Sequence, residues 1–151
     1  MSNGIGHFCV RNVVTLPREA SVLEAATLMR KHHIGAVLVI DRIDDGVIPA
    51  GLLTDRDIVV EIVAAGLDPG AVKVGELVQR PVTTVHEDAG YADTVRLMSI
   101  NGVRRMPVVD AKGRLVGIIT FDDILRQLAA PLLALSDLAV RERHYETETR
   151  P

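Results

Sequence analysis

Hydrophobic residues in the first half of the chain follow two different spacings. From Val22 to Met29 they recur at intervals of three and four residues, which is typical of one face of an α-helix. Ser21 and Glu24 stand at its start as a capping-box pair, in which each side chain bonds the backbone N–H of the other residue. A continuous apolar run follows at 36–40, as expected for a strand that is covered on both faces. The pattern predicts a helix and then a buried strand.

A short strand and a hairpin complete the predicted unit. Residues 13–15 are all β-branched, which favours a strand before the helix. Asp-Asp-Gly at 44–46 is typical of a tight turn, and the apolar residues at 47–53 favour a returning strand. Thr54 then begins a second helix, with Ile58 on its apolar side. The predicted order of elements is β-α-β-β-α.

The same unit occurs twice. At an offset of 69 positions, residues 11–15 fall on 80–84, and similar residues continue to match as far as the hairpin. Beyond the hairpin the offset is 66, and residues 51–58 fall on 117–124. The change in length lies in a predicted turn, where insertions are tolerated. The chain is therefore an internal duplication, and its fold class is α/β (α+β).

The duplication divides the chain into three predicted segments. We expect a first repeat at 8–68, a second repeat at 74–130, and a C-terminal helix with a charged tail at 131–151. The breaker sequence Gly-Leu-Asp-Pro-Gly at 66–70 separates the repeats. Pro131 is expected to interrupt the helix that precedes it. The last helix has an apolar stripe that would pack either against a partner subunit or against its own core.

One motif occurs once in each repeat, where a strand meets a helix. It consists of Gly, two apolar residues, Thr, any two residues and Asp, and it lies at 51–57 and 117–123. Thr-x-x-Asp is itself close to a capping box, so one interpretation is that the motif only starts a helix. The other interpretation is that its Thr and Asp contact a ligand.

With this order of elements, each repeat resembles the CBS domain, and the tandem pair resembles a Bateman module. The resemblance covers about residues 10–129 and depends mainly on the strings at 51–58, 103–110 and 117–124. The chain is also similar to small stand-alone bacterial CBS pairs of the hypoxic-response type. The resemblance implies two repeats packed sheet to sheet with pseudo-two-fold symmetry.

The resemblance also implies an adenosyl ligand, such as AMP, ADP or ATP, in clefts between the repeats. Asp57 and Asp123 would accept hydrogen bonds from ribose hydroxyls, because a carboxylate offers two acceptor oxygens. Thr54 and Thr120 would lie near phosphate at helix N-termini, which favour anions. The implied ligand contacts are Thr15, Thr54, Arg56, Asp57, Thr84, Arg104, Arg105, Pro107, Thr120 and Asp123.

The implied contacts are not equivalent in the two repeats. Thr15 and Thr84 match each other and correspond to positions that line base and ribose. The arginine pair at 104–105 would meet phosphate, but the first repeat has Gly-Ala at the matching positions 35–36. Arg56 is expected to reach a phosphate as well. The alternative is that these arginines are solvated surface charges. Because the two repeats differ at these positions, we expect one good anionic-ligand site and a second site that is weak or empty.

Composition narrows the possible functions. The chain has 151 residues, 48% of them hydrophobic, and a net charge of −3, which disfavours a general nucleic-acid binder. Only 3% of residues are aromatic, so a base-stacking platform is not expected. Cys9 is the single cysteine, and residues 1–10 do not resemble a signal peptide. No apolar run is long enough to cross a membrane, and we expect a cytoplasmic protein.

Three functional hypotheses remain at this point. The first is a non-catalytic regulatory module that senses an adenosyl ligand, forms a homodimer with four repeats in a disc, and signals to an unidentified effector protein. The second is a ligand-free scaffold dimer that is redox-linked through Cys9. The third is a phosphate-processing enzyme that uses Asp57 or Asp123, although the sequence has no P-loop or dinucleotide fingerprint. His7 and Cys9 lack a second ligand pair, so no metal site is expected.

Overall fold

The computed structural model describes residues 4–149, and these form two similar halves. The strands are β1 Thr15–Pro17, β2 Ala36–Ile43, β3 Gly46–Thr54, β4 Val85–His86, β5 Arg105–Val109 and β6 Leu115–Thr120. The helices are α1 Val22–His32, α2 Asp55–Ile58, α3 Val74–Leu77, α4 Tyr91–Asn101 and α5 Phe121–Thr149. A 3-10 turn at Ile5–His7 precedes them, and a π-helical turn at Val59–Val63 continues α2.

The two sheets have the same topology, which confirms the predicted duplication. In each, the first strand is parallel to the second, and the second pairs with the third in an antiparallel hairpin. The register also repeats, because Leu16 pairs with Val39 just as Val85 pairs with Val108. Strands β3 and β6 are in contact, so the two sheets meet along these strands.

The first strand of each repeat begins later than predicted. We expected strands at 13–15 and 82–84, but β1 begins at Thr15 and β4 at Val85. For β1 the reason lies in the preceding residues, because Val10 forms a bridge with Ile118 of the other repeat. The segment after Val10 therefore crosses from one sheet to the other before it can join a strand.

The segments that lead into the two repeats are exchanged. Ile5 is fully buried in the second core, where its N–H donates to the carbonyl of Ala89 at 2.8 Å. Val74 is fully buried in the first core, where its N–H donates to the carbonyl of Ala20 at 2.8 Å. Ile5 and Val74 are 69 positions apart, as are their partners Ala20 and Ala89, so equivalent residues make equivalent contacts and the exchange is reciprocal. The two repeats are thus held together by their own lead-in segments.

Helix α5 differs from the prediction for the C-terminal segment. We expected Pro131 to interrupt the helix that precedes it, but α5 continues through Pro131 to Thr149. Proline has a helical φ, but it removes one N–H donor and its ring crowds the carbonyl four residues earlier, which belongs to Gln127. Gln127 is exposed, so no tertiary packing prevents the helix from adjusting there. Every described residue from Leu125 onward is exposed, so α5 does not cap its own core. The end of the predicted tail, Arg150 and Pro151, lies outside the described residues.

Charged side chains join the two hairpin turns across the repeats. Arg114 lies in the second hairpin and contacts Asp45 of the first at 2.9 Å and Asp110 of its own repeat at 2.6 Å. The hydrogen bond from Arg114 holds the pKa of Asp110 below its usual value. A carboxylate with a lowered pKa in the folded state contributes stability above its unfolded pKa of about 3.9, and that stability is lost as the pH falls further.

We therefore expect Asp110→Asn to lower the melting temperature at pH 7 and to flatten the loss of stability on acidification. Thermal unfolding measured from pH 7 to pH 3 tests this. Asp137→Asn, which changes an exposed carboxylate on α5, is the control and should follow the parent curve. A parent-like acid profile in Asp110→Asn would contradict the assigned role of this pair.

Candidate ligand-binding site

A large cleft lies between the two repeats and has a volume of about 1210 Å³. Its walls come from the first motif, from the segment that leads into the second repeat, and from the turn before β5. The lining residues are Gly35, Leu52, Thr54, Asp55, Arg56, Asp57, Glu61, Glu76, Leu77, Val78, Gln79, Arg80, Pro81, Val82, Thr83, Asn101, Gly102, Val103, Arg104 and Arg105. Both repeats are therefore needed to build the site.

The first motif forms a capping box and keeps one carboxylate oxygen open. The N–H of Thr54 donates to Oδ2 of Asp57 at 2.9 Å, and the N–H of Asp57 donates to Oγ1 of Thr54 at 3.1 Å. Oδ1 of the half-buried Asp57 has no hydrogen-bond or ion-pair partner within residues 4–149. The two interpretations of the motif are thus compatible, since one oxygen starts the helix and the other faces no protein donor.

The second motif forms the same capping box, but the other carboxylate oxygen of its Asp has a charged neighbour. Thr120 and Asp123 exchange the same two hydrogen bonds, at 3.0 and 3.1 Å. Oδ1 of Asp123, however, lies 3.6 Å from a guanidinium nitrogen of Arg126. The matching residue of the first repeat is Val60, which offers no charge. Thr120 and Asp123 also do not line the large cleft, so only the first motif belongs to it.

Four arginines line this cleft together with the first motif. Arg56 comes from α2, and Arg104 and Arg105 come from the start of β5, as the sequence had suggested for an anionic ligand. Arg80 was not predicted, although it matches Arg11 in the repeat. Arg104 lies over the ring of Phe121 at 5.7 Å. The other three guanidinium groups have no ion-pair partner among the described residues.

Acidic residues also line the cleft, but two of them are engaged at helix starts. Asp55 accepts from the N–H of Arg56 at 2.8 Å, and Glu76 accepts from the N–H of Lys73 at 3.1 Å. Glu61 is the remaining acid of the lining besides Asp57. The unpaired arginines and the open oxygen of Asp57 suit a ligand that has both an anionic group and hydroxyl donors.

Five of the ten predicted contacts do not line the cleft: Thr120 and Asp123 of the second motif, and three residues elsewhere. Thr15 begins β1 and pairs with Leu38, Thr84 is half-buried just before β4, and Pro107 is buried in β5. The wall near Thr84 is formed by the residues immediately before it, 82–83. The structure therefore brings together Thr54, Arg56, Asp57, Arg104 and Arg105 and leaves the other predicted contacts elsewhere.

Cys9 lies in the lead-in segment that packs on the second repeat. Its Sγ donates to the carbonyl of Gly6 at 3.3 Å, and a Cβ at Gly117 would lie 2.6 Å from this sulfur. Burial raises the pKa of the Cys9 thiol above its ordinary value. A raised pKa reduces the thiolate fraction at neutral pH, and the thiolate is the reactive form. This environment does not favour a redox role for Cys9.

Residues 4–149 offer neither a metal-binding cluster nor a membrane-spanning helix. In that part of the chain, no three or more His, Cys, Asp or Glu side chains gather in a way that could hold a metal ion. None of the described helices combines the length and the apolar character that crossing a membrane requires.

Comparison with known proteins identifies related sequences. The family model for the CBS domain matches residues 5–64 and 74–130. Hypoxic response protein 1 of Mycobacterium tuberculosis is 40% identical over 116 residues, which cover 77% of this chain and 78% of that protein. An uncharacterized protein of Methanopyrus kandleri is 38% identical over 125 residues, which cover 83% of this chain. The matched region spans only 62% of that archaeal relative's length.

Solved structures share the fold. The crystal structure of Hypoxic Response Protein I with two coordinated zinc ions has a TM-score of 0.71 and 36% identity, covering 82% of this chain and 98% of that one. The CBS domain pair of protein MJ0100, in complex with 5′-methylthioadenosine and S-adenosyl-L-methionine, has a TM-score of 0.72 and 27% identity, covering 87% and 99%. The cytosolic domain of the Mg²⁺ channel MgtE in complex with ATP has a TM-score of 0.68 and 29% identity, covering 82% and 48%.

Proposed function

Because the chain belongs to the CBS-domain family, whose tandem pairs are regulatory modules, we propose that it senses an adenine nucleotide or a related adenosyl ligand in the large cleft. One observation supports this most strongly. The open Oδ1 of Asp57 and three unpaired guanidinium groups, from Arg56, Arg80 and Arg105, line the same cleft, although they come from different repeats. Unpaired charges of this kind suit an anionic ligand.

The proposed binding mode follows from the chemistry of these groups. Asp57 accepts hydrogen bonds from the ribose hydroxyls through Oδ1 and keeps Oδ2 for the helix cap. The arginines Arg56, Arg80 and Arg105 bind the phosphate oxygens, for which a guanidinium fork is well suited. The cleft is large enough, since small-molecule sites measure roughly 300–1000 Å³. Two related CBS-pair structures contain adenosyl ligands, which supports this ligand class.

The proposed role is non-catalytic. In this proposal the two repeats bind the ligand, and the output of the module passes to an effector protein. The ligand contacts both repeats, and it would therefore stabilise one relative arrangement of them over others. An effector that distinguishes these arrangements would then respond to the ligand.

Ligand release and thermal stabilisation test this proposal. Purified protein is denatured and the supernatant examined by mass spectrometry, and stripped protein is then melted with AMP, ADP, ATP, NAD or S-adenosylmethionine. A ligand at 100 times its Kd adds about 2.7 kcal/mol of stability, which raises the melting temperature by about 5–10 °C at this size. If no adenosyl compound is released and none shifts the melting curve, the proposed function is wrong.

A further inference from the structure

Helix α5 extends well past the part of the chain that matches the CBS-domain family. The family match ends at residue 130, whereas α5 continues to Thr149. The whole helix is roughly 43 Å long, and all its described residues from Leu125 onward are exposed. A helix without tertiary packing is only marginally stable in water, so this segment needs a partner surface.

The exposed face of α5 has the spacing of a helix-pairing seam. Leu125, Leu128, Leu132, Leu135 and Ala139 follow one another at intervals of three, four, three and four residues. This is the heptad spacing with which one helix packs its side chains between those of another. The four leucines are 47–66% exposed, so nothing in the described chain covers them. The occupant of this face is therefore expected to be a helix.

The apolar area of α5 is of the size that a dimer requires. Beside the seam, α5 exposes Leu133, Leu138 and Val140 at 59–66%. At such exposure each side chain presents roughly 80 Å² of apolar surface, so the seven large side chains together offer about 550 Å². A stable interface buries about 800 Å² per partner, of which somewhat more than half is apolar. Exposed apolar area of this size is near the upper end of what monomeric proteins carry.

The charges of α5 argue against a lipid surface as the occupant. Helices that lie on membranes have a polar face rich in lysine and arginine, which bind anionic headgroups. Helix α5 contains no lysine, and its six acidic residues outnumber its three arginines. Its acidic residues are Asp122, Asp123, Asp137, Glu142, Glu146 and Glu148, and its arginines are Arg126, Arg141 and Arg143.

We propose that α5 pairs with the α5 of a second copy of this chain. Two copies of α5 present identical apolar faces, and a two-fold arrangement of the copies buries both faces at once. The stripe ends at Val140, after which the helix is polar on all sides, so the paired region is limited to 125–140. The pairing does not depend on the ligand in the cleft between the repeats.

Light scattering coupled to size-exclusion chromatography, over a dilution series of the full chain, tests the pairing. Leu135→Asp places a charge in the seam, whereas Ala130→Asp places the same charge about 140° around the helix. We expect a dimer for the parent and for Ala130→Asp, and at least tenfold weaker dimerisation for Leu135→Asp. Circular dichroism and thermal unfolding show whether each variant is folded, and Leu132→Ser is a milder variant if Leu135→Asp is not.

Several outcomes would overturn the pairing. A folded Leu135→Asp protein with the parental mass at every concentration would place the dimer interface elsewhere. A parent chain that is monomeric at its highest soluble concentration would exclude a second copy as the occupant. If such a monomer sediments with vesicles of anionic lipid, the stripe binds membranes instead. Each variant also enters the nucleotide melting assay, so a failure of pairing is distinguished from a failure of the ligand proposal.

Discussion

Replacing Asp57 with alanine is expected to weaken nucleotide binding by about 100-fold. In the proposed complex, Oδ1 of Asp57 accepts from both ribose hydroxyls, and a hydrogen bond to a charged group contributes about 1.5–3 kcal/mol. Losing two such bonds removes about a hundredfold or more in affinity. Isothermal titration of the parent and the variant, with the nucleotide that gives the largest thermal shift, measures the change directly.

Asp123→Ala is the matched control for this experiment. In each repeat the Asp carboxylate accepts from the N–H of the capping Thr, and alanine removes this bond but keeps the backbone N–H that donates to the Thr hydroxyl, so either variant loses about 1 kcal/mol of helix stability. Only Asp57 lines the large cleft. We therefore expect similar melting temperatures but very different affinities. Equal loss of binding in the two variants, or no loss in Asp57→Ala, would refute the assignment of the ribose acceptor.

Gly51→Ala is expected to destabilise the protein by about 3 kcal/mol, near the upper end of the cost of overpacking a core. A Cβ at Gly51 would overlap Cγ1 of Val78, which belongs to the exchanged lead-in segment and is buried in the first core. The segment must move away, and the core contact between the repeats is lost with it. At this chain length, the melting temperature should fall by about 6–12 °C.

Two further variants identify the contact as the cause. Gly90→Ala adds the same methyl group where no heavy atom lies within 4 Å. Gly90 is the N-cap of α4, a position where alanine is less favourable than glycine, so this control should cost no more than about 1 kcal/mol. Val78→Ala removes both γ carbons, including the one that overlaps the methyl group added at position 51, and leaves only its Cβ at 2.8 Å. The double variant should therefore be more stable than the sum of the two single effects. Strictly additive effects would show that Gly51 and Val78 do not compete for the same space.

The sequence predicted most of the local structure correctly. Ser21 and Glu24 form the predicted capping box, Thr54 and Thr120 begin helices, and the first hairpin turns between Ile43 and Gly46. Such features depend on residues close together in the chain, so side-chain spacing and capping chemistry are sufficient to predict them. The sequence did not predict the late starts of β1 and β4 or the continuation of α5 through Pro131. The late start of β1 depends on a contact with a distant residue, Ile118, and α5 continues where its residues are exposed to solvent.

The sequence shows that the two lead-in segments are equivalent, but it does not show that they are exchanged. Ile5-Gly6 matches Val74-Gly75 at the same offset of 69 as the rest of the repeat. That match extends the duplication back to residue 5 and is consistent with the family match beginning there. A repeat reveals which segments are equivalent, but it does not reveal which repeat each segment packs against.

The residues that line the cleft show the same difference between what the sequence reveals and what the packing of the repeats decides. From the sequence alone, we expected the positive charge that binds an anionic ligand to be concentrated in the second repeat, at Arg104 and Arg105. The fold brings those arginines to the carboxylate of the first repeat, Asp57, and adds Arg80 from the segment between them. It also gives the second carboxylate, Asp123, a neighbouring guanidinium. The sequence by itself determined the duplicated unit and its helix caps, since these depend on neighbours in the chain. Only the tertiary structure decided which motif meets which arginines, because that depends on how two distant repeats pack together.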